Sequence, residues 1–441
     1  MERLADHVDL LTGFPFKSAS YSNDLDAVRL VRGDNVVQGR MRWENAKLWP
    51  SEITVEIQRY RLHVGDVVLA MDRPWIEAGL KYARITQDDV PSLLVQRVAR
   101  LRATSGLDQG YLFYLIGSRE FTNHVLAIQT GTAVPHISGG QILEFRFRLP
   151  PLSEQRRIAE VLGAMDDKIE ENRRTGRALE RLARAIFRSW FVECEPVKAK
   201  GAGATSFPSI SQDIFTEVPI DFVDSELGPI PREWKLGVVG DAATLSKIQV
   251  KPQLHPEEVF DHFSIPAYDS GQNAVGEQGN SIKSNKFLVV DACLLISKLN
   301  PRILRVWLPP ATSSRRQIAS TEFLVTMPRE GWDRDYLFCQ FKQPEFCDDL
   351  AQGASGTSNS HQRVRPQDFL AKAIVLAPVE LRDAFRQHVG PMMELSGLLN
   401  SESRKLAEMR DLLLSKLLSA AVRIRGTTTE HSFLAPSGEH V

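Results

Sequence analysis

The stretch from residue 149 to residue 195 constrains the fold most, because it carries a long repeat with the spacing of a coiled-coil seam. Apolar or small residues recur there in alternating steps of four and three. Pro150-Pro151 and Ser153 mark the start of a helix, and Pro196 follows its end. A helix over 151–195 is therefore predicted. At 1.5 Å per residue, its seam from Ile158 to Trp190 is about 48 Å long and needs a partner.

The predicted partner is a second helix over 379–421, which repeats the same alternation from Met392 onward. Gly390-Pro391 is expected to break or kink this helix near its start. The residues predicted to form the paired seam are Ile158, Leu162, Met165, Ile169, Leu179, Ile186, Met392, Leu395, Leu399, Leu406, Met409 and Leu413. Asn172 and Glu402 occupy polar slots, where they either fix the register as buried groups or face water through local fraying.

Length and composition allow two or three ordinary domains and exclude a polycation. The chain has 441 residues, 43% of them hydrophobic, and a formal net charge of -1, so nucleic-acid binding would have to come from local patches. The four cysteines form no CxxC pair, which indicates free thiols in a reducing compartment. Since no run of about 18 apolar residues occurs, a cytoplasmic protein is expected.

Two β-rich modules are predicted beside the helices, at residues 1–150 and 220–378. Short valine-rich runs at 27–31, 66–70 and 92–95 have strand composition, residues 111–128 indicate one or two helices, and 142–149 indicates a closing strand. Residues 196–219 are rich in small side chains and are interpreted as an exposed linker. Residues 422–441 have the composition of a disordered tail.

The two modules repeat each other at an offset of 225 residues. Tyr111-Leu112-Phe113 matches Tyr336-Leu337-Phe338, since 336 − 111 = 225, and His136 matches His361 at the same offset. Such an offset over some 70 residues predicts a tandem repeat of one module plus one helix. If the helices pair antiparallel, the modules would be related by an approximate two-fold axis.

Catalytic signatures are missing from the sequence, whereas local cation clusters are present. There is no GxxxxGK[ST] loop and no GxGxxG, and 292–321 contains Lys and Arg but no Asp or Glu. Cations interleaved with amide and hydroxyl side chains suit phosphate and base-edge contacts, although a solvated basic loop is the alternative. The candidate DNA-contacting residues are Lys17, Arg73, Lys81, Thr132, His136, Lys298, Asn300, Arg302, Arg305, Arg315, Arg316, Thr357, His361 and Arg363. No catalytic or metal-binding residue is predicted.

Four segments resemble the specificity (S) subunits of type I restriction-modification systems. The helix region LPPLSEQRRIAEVLGAMDDKIEENRR...LARAIFRSWFVECEPV resembles the first conserved helix region of that family. SELGPIPREWKLGVVGDAATL resembles the opening of its second target-recognition domain, SKLNPRILRVWLP its middle, and LAEMRDLLLSKLLSAAV its C-terminal helix. Ser415 and Ala420 depart from the usual ending of that helix. The resemblance covers essentially the whole chain.

The resemblance implies an α+β fold with two tandem target-recognition domains and two long helices that form an antiparallel coiled coil with pseudo-two-fold symmetry. Each domain would recognise one half of a bipartite, asymmetric DNA site. The helices would set the spacing and dock two methyltransferase (M) subunits, and two restriction (R) subunits would join the complex. The chain itself would bind no cofactor, while S-adenosylmethionine, ATP and Mg would be bound by the partners.

Two other classes of protein stay open on the sequence alone. A fused methyltransferase or nuclease would need a catalytic domain of several hundred residues, for which this chain has no sequence signature. A structural coiled-coil adaptor would have the same helices but would not recognise DNA sequence. Exchange of residues 1–148 separates the readings, because only a specificity subunit would change one half-site.

Overall fold

The computed structural model describes residues 1–419, except for 25, 77–78, 105, 131–134, 304, 311–312 and 354–361. Thr132, Thr357, His361 and the predicted tail at 422–441 therefore lie outside the described residues. The chain forms two compact units. Unit 1 contains Met1–Asp167 and the chain from Ala407 onward, and unit 2 contains Lys168–Leu406.

Unit 1 is a β-rich module covered by short helices. Its strands are β1 (Glu2–Arg3), β2 (Val8–Thr12), β3 (Val28–Val31), β4 (Gln38–Gly39), β5 (Leu48–Trp49), β6 (Val67–Ala70), β7 (Trp75–Ile76), β8 (Gly79–Leu80), β9 (Tyr82–Arg84), β10 (Ser92–Leu94), β11 (Val98–Ala103) and β12 (Arg146–Phe147). Its helices are α1 (Val55–Gln58), α2 (Gln109–Ile116), α3 (Arg119–Ile128), α4 (Gly139–Leu143) and the start of α5 (Leu152–Phe187).

The central sheet of unit 1 has the strand order β2-β11-β6-β9-β4, and a smaller sheet has the order β10-β3-β5. All four residues of β6 are buried, as expected for a strand covered on both faces. The apolar run Tyr111–Ile116 of α2 packs in one core cluster with Leu69, Phe121 and Ile158. The strands predicted at 27–31, 66–70 and 92–95 and the helices predicted at 111–128 are confirmed.

Unit 2 repeats the module and adds further elements. Its helices are the rest of α5, α6 (Glu195–Gly201), α7 (Gln212–Glu217), α8 (Val239–Ala242), α9 (Ile265–Asp269), α10 (Arg334–Phe341), α11 (Pro344–Gln352), α12 (Pro366–Leu370) and most of α13 (Val379–Leu418). Its strands are β13 (Phe222–Val223), β14 (Ile230–Pro231), β15 (Lys235–Val238), β16 (Ala243–Ser246), β17 (Gln249–Val250), β18 (Val259–Phe263), β19 (Val275–Gln278), β20 (Lys286–Leu288), β21 (Leu294–Ser297), β22 (Val306–Trp307), β23 (Gln317–Ala319), β24 (Phe323–Pro328) and β25 (Ala373–Leu376).

The strand order β16-β24-β21-β22 in unit 2 corresponds to β2-β11-β6-β9 in unit 1. In both units the helix after the long strand begins at an aspartate N-cap, Asp108 or Asp333, whose carboxylate accepts backbone N–H groups of the first turn. A second sheet in unit 2 has the order β17-β20-β23-β18-β19. The predicted tandem repeat is therefore confirmed at the level of topology.

The offset of the repeat is not constant, which corrects the predicted equivalence of His136 and His361. Val98 pairs with Ala70 in unit 1, and Phe323 pairs with Ser297 in unit 2. The long strands therefore differ by 323 − 98 = 225, whereas the central strands differ by 297 − 70 = 227. A different number of residues separates the paired strands in each unit, and a single offset cannot align both of them.

Residues 196–219 do not form the predicted exposed linker. They contain α6 and α7, and Val197, Phe215 and Val218 are buried in the main core of unit 2. The prediction failed because it followed the many small residues of this segment and not its few large apolar ones. The predicted closing strand at 142–149 is also shorter than expected, because its first residues complete α4 and only Arg146–Phe147 are paired.

The two long helices pair antiparallel within unit 2. Asn172 of α5 contacts Glu402 of α13, and Gly176 lies against Ser396. The Phe187 and Phe385 rings follow, with centroids 5.7 Å apart. Partner numbers fall as residue numbers in α5 rise, which defines the antiparallel direction.

The polar residues in the predicted seam, Asn172 of α5 and Glu402 of α13, differ in burial. Asn172 is 1% exposed, and its Nδ2 donates to Glu402 Oε2 at 2.7 Å. Glu402 itself is mostly exposed. The buried-polar interpretation of Asn172 is thus correct, and this hydrogen bond favours one register over its neighbours.

The α13 helix runs without interruption through Gly390-Pro391, so the helix does not break there, and the alternative of a kink stays a prediction. Val389 and Met393 are buried on either side of the proline. Their packing outweighs the one hydrogen bond that proline cannot make.

The seam predicted for α13 is displaced by one residue at three of its six positions, 392, 395 and 413. Leu395 and Met409 are 44% and 52% exposed, whereas Met393, Ser396, Leu414 and Leu417 are buried. The prediction followed the leucines, but the close approach to α5 is made by small side chains. The other predicted seam positions are buried at Ile158, Leu162 and Ile169 and half-buried at Met165, Leu179, Ile186, Met392, Leu399, Leu406 and Leu413.

The same helices also pair within unit 1, through a polar network. Arg410 Nη1 of α13 donates to Asp166 Oδ1 of α5 at 2.6 Å. The Tyr114 hydroxyl of α2 donates to Asp166 Oδ2, also at 2.6 Å. Asp166 therefore connects both long helices to the module. In the part of the chain that is described, no helix is long and apolar enough to cross a bilayer.

Candidate nucleic-acid interface

Three chain segments meet at one end of the central strand β6 in unit 1. The chain leaves β6 as Met71-Asp72-Arg73, and the Arg73 N–H donates to Pro135 O at 2.7 Å. The Met71 N–H donates to Arg97 O, in the turn before β11, at 2.8 Å. Arg73 and Arg97 have φ values of +44° and +67°, so both occupy the left-handed region. Backbone hydrogen bonds therefore fix this end of the module.

The side chains of these segments form a compact charged cluster in unit 1. His136 Nδ1 lies 2.8 Å from Asp72 Oδ1, and Arg97 Nη1 lies 3.2 Å from His136 Nε2. A neutral His136 that donates from Nδ1 to Asp72 leaves Nε2 free to accept from Arg97. Arg97 is more than half exposed, so its remaining N–H groups face solvent.

Arg73 and Lys81 lie near this charged cluster. Burial lowers the pKa of Lys81, and the nearby Arg42 and Arg73 lower this pKa further, against Asp34 and Asp72, which raise it. The Lys81 N–H donates to Pro74 O at 2.7 Å. Arg73, Lys81 and His136, predicted separately from the sequence, are thus brought together.

Unit 2 builds the same three-segment site at the end of β21. The Asn300 N–H donates to Gln362 O at 2.9 Å, and the Val364 N–H donates to Lys298 O at 3.1 Å. The Lys298 N–H donates to Glu322 O at 2.8 Å. Asn300 has a φ of +49°, like its counterpart Arg73. The equivalences are 300 − 73 = 227, 363 − 136 = 227 and 322 − 97 = 225.

The residues at these equivalent positions differ between the units, and the charge is reversed at the position of Arg97. Arg363 stands where unit 1 has His136, and Glu322 stands where unit 1 has Arg97. Arg363 Nε and Nη2 donate to the two Glu322 carboxylate oxygens at 3.1 and 3.0 Å. This pairing raises the pKa of Arg363 and holds its guanidinium in one orientation. One scaffold thus presents different chemistry in each unit.

Several predicted contacts lie elsewhere or have another role. Arg305 is 8% exposed, and its Nε and Nη2 donate to the Asp269 carboxylate, each at 2.8 Å. The Arg305 guanidinium is therefore a buried, ion-paired group, and its contact with DNA stays a prediction. Lys17 lies in a separate loop at the start of the Ser18–Ser20 turn of unit 1.

Arg315 and Arg316 lie on the second sheet of unit 2 and not beside Lys298. Arg316 Nη2 is 2.7 Å from Glu258 Oε2, and Arg315 Nη1 is 3.5 Å from Asp261 Oδ1. The continuous basic run in the sequence is consequently divided between two places in the fold. Arg302 is exposed and follows Asn300 at the three-segment site.

The sequence reasoning missed Asp72, Arg97 and Glu322. A search for cation-rich runs in the sequence overlooks single residues that contact a partner distant in the chain. Arg97 and Glu322 do align at the 225-residue offset, so comparing the halves at turn positions would have found this pair. Among the described residues, no group of His, Cys, Asp or Glu has the arrangement of a metal site.

One protein family and several relatives match parts of this sequence. The family described as "Type I restriction modification DNA specificity domain" matches residues 32–181. The MjaVIII specificity subunit of Methanocaldococcus jannaschii is 31% identical over 185 residues, which cover 42% of this chain and 43% of that protein. The HindI specificity subunit of Haemophilus influenzae is 22% identical over 363 residues, which cover 71% of this chain and 77% of that protein.

Two further relatives extend the comparison. The EcoAI specificity subunit of Escherichia coli is 34% identical over 171 residues, which cover 38% of this chain and 28% of that protein. The S subunit structure from M. genitalium superposes with a TM-score of 0.50 at 11% identity and covers 95% of both chains. The matches to the MjaVIII and EcoAI subunits thus span less than half of those relatives.

By fold, the protein is an α+β chain of two repeated β-rich modules with two long helices. Residues 32–181 are similar to the type I restriction modification DNA specificity domain, and the fold is similar to that of the S subunit from M. genitalium.

Proposed function

We propose that this chain is the DNA sequence-specificity subunit of a type I restriction-modification complex. One observation carries the proposal: each unit builds the same three-segment site, and the side chains on it differ. A bipartite, asymmetric DNA site requires two such readers with a shared scaffold and different base-contacting groups. The modules would each recognise one half-site, and the helices would set the spacing.

The proposal assigns chemistry to partner subunits and recognition to this chain. Two M subunits with S-adenosylmethionine would methylate the DNA, and two R subunits with ATP and Mg would join the M-containing core. The long helices would dock the M subunits. In unit 2 they expose Leu182 of α5 and Leu395 and Leu398 of α13, which offer apolar side chains for such docking.

The salt dependence of DNA binding tests the site in unit 2. Lys298→Gln removes a cation beside Asn300 without touching the ion pair between the buried Arg305 and Asp269. Each phosphate contact that is lost should reduce the slope of log K against log salt concentration by about 0.9, because fewer counterions are released. The measurement is a salt titration of binding by the full complex.

Lys235→Gln is the matched control, since Lys235 is an exposed lysine of β15 on another sheet. This control should keep the wild-type slope. A wild-type slope in Lys298→Gln would remove Lys298 from the phosphate contacts. Absence of sequence-specific binding by the wild-type complex would reject the proposed function itself.

A further inference from the structure

Beside the three-segment site of unit 1 lies a pair of short strands that does not belong to the charged cluster. Trp75-Ile76 pairs antiparallel with Gly79-Leu80, apart from the larger sheets. Leu80 is 5% exposed and belongs to the core, which anchors the pair. Helix α3 lies against β7 and supports it from the side. We call Trp75–Ile76 with Gly79–Leu80 the Trp75 strand pair.

The Trp75 strand pair exposes two large apolar side chains to solvent. Trp75 and Ile76 are each 39% exposed, although neighbouring positions in the same module are well buried. Adjacent exposed apolar side chains of this size indicate a contact surface more often than isolated ones do. Their rigid support makes them suitable for a contact with defined geometry.

The surroundings of the strand pair have the charge expected for nucleic acid. Arg73 precedes it and Lys81 follows it, and the hydrogen bond from the Lys81 N–H to Pro74 O closes its base. Arg97 lies in the same three-segment site. An apolar tip between cations matches a DNA groove, where phosphates flank base edges and the thymine methyl group is the apolar feature.

Unit 2 has a counterpart with different chemistry. Pro74-Trp75-Ile76 corresponds to Pro301-Arg302-Ile303, since 302 − 75 = 227 and Asn300 has the same left-handed backbone as Arg73. Arg302 is exposed, and Ile303 is 48% exposed. The segment after the proline is thus presented in both units, with an indole in one and a guanidinium in the other.

We propose that the segment after this proline is a base-reading element in each module. This inference rests on the proposed function and adds the residues that choose the base. Trp75 contacts the 5-methyl group of a thymine in the half-site of the first module. Arg302 donates to O6 and N7 of a guanine at the corresponding position of the other half-site.

The first test maps adenine methylation by the full chain co-expressed with its methyltransferase subunit. The double variant Trp75→Ala/Ile76→Ala should relax one A·T position of one half-site, with about a fourfold loss of discrimination, the effect of one buried methyl group. Trp75→Arg should shift the preference at that position toward G·C. The other half-site should stay unchanged in both variants.

Val64→Ala is the matched control, because Val64 is 56% exposed and precedes β6, whereas Trp75 follows it. This control should leave the whole motif unchanged. An unchanged motif in Trp75→Ala/Ile76→Ala would overturn the inference while leaving the proposed function intact. A first half-site composed only of G·C pairs would also overturn it.

The second test measures binding to DNA in which single thymines are replaced by deoxyuridine, which removes only the methyl group. The wild-type complex should bind about fourfold more weakly when the contacted thymine is replaced, the effect of one buried methyl group. Trp75→Ala/Ile76→Ala should lose that sensitivity. Equal sensitivity of wild type and variant at every position would contradict the methyl contact, even if the variant folds poorly enough to confuse the first test.

Discussion

Asp335 is a carboxylic acid whose burial makes the stability of unit 2 depend on pH. It lies in the first turn of α10 and is mostly buried, with Arg334 Nε 3.6 Å from Oδ1. Desolvation raises the pKa of Asp335 to about 6, with the nearby Arg334 opposing and Asp333 adding to the rise. The folded state therefore holds this proton at pH values where the unfolded chain has released it.

The resulting prediction concerns Asp335→Asn. As pH rises from about 4 to 6, ionisation favours the unfolded chain, so wild-type stability falls and the full cost is present above about pH 6. The variant removes this cost and should increase the free energy of unfolding by about 1–3 kcal/mol at pH 7.5. The gain should be about half as large at pH 5, as measured by urea denaturation at both pH values.

Asp333→Ala is the companion control. The Asp333 carboxylate accepts the N–H groups of Asp335 and Tyr336 at 2.8 and 3.1 Å. Losing this N-cap should lower stability by about 1 kcal/mol at both pH values. An Asp335→Asn variant that is less stable than wild type at pH 7.5 would contradict the account of its burial.

The sequence predicts a residue's role only where that role depends on the residue's own side chain and not on a partner elsewhere in the chain. The cations near Lys298 stood out by charge, but the partners of Arg305 and Arg363 lie 36 and 41 residues away in the chain. Ion pairing of this kind depends on the fold. The sequence could therefore identify Arg305 as a cation, whereas only the fold shows that its guanidinium is buried and paired with Asp269.

Among the larger elements, the register of α13 against α5 is the feature that sequence periodicity misplaced. A Cβ on Gly176 would lie 3.3 Å from Ser396 Oγ, so the helices approach closely at this point. Ser396 is 2% exposed. Periodicity located both helices correctly, because the heptad pattern extends over many residues in each of them. The periodicity could not show which of two adjacent faces of α13 is buried, because the buried face carries small and polar residues.

A pair of substitutions tests this register. Ser396→Leu should cost about 1–3 kcal/mol, because the extra volume has no space beside Gly176. Leu395→Ser should change stability by no more than about 0.5 kcal/mol, since Leu395 is largely exposed. Denaturant unfolding of the full chain measures both. The opposite order, with Leu395→Ser the more damaging change, would restore the register predicted from the leucines.

For the whole molecule, the central feature is that one module architecture occurs twice with different side chains. The repeat was visible in the sequence through motifs such as Tyr111-Leu112-Phe113 and Tyr336-Leu337-Phe338. The two-residue change in offset was not visible, because it arises from the strand register in each unit. As a result, the sequence paired His136 with His361, whereas the structure places Arg363 at the equivalent position.

The most direct measurement is a methylation map of DNA from cells that co-express a methyltransferase subunit with either the wild-type chain or a chimera. In the chimera, residues 1–150 are replaced by the corresponding residues of a type I specificity subunit with a different recognition sequence. The account predicts one bipartite motif for the wild type, and for the chimera a motif with one half-site changed and the other retained. A chimera that keeps both half-sites, or a stable wild-type complex without any motif, would contradict the account and favour a structural adaptor.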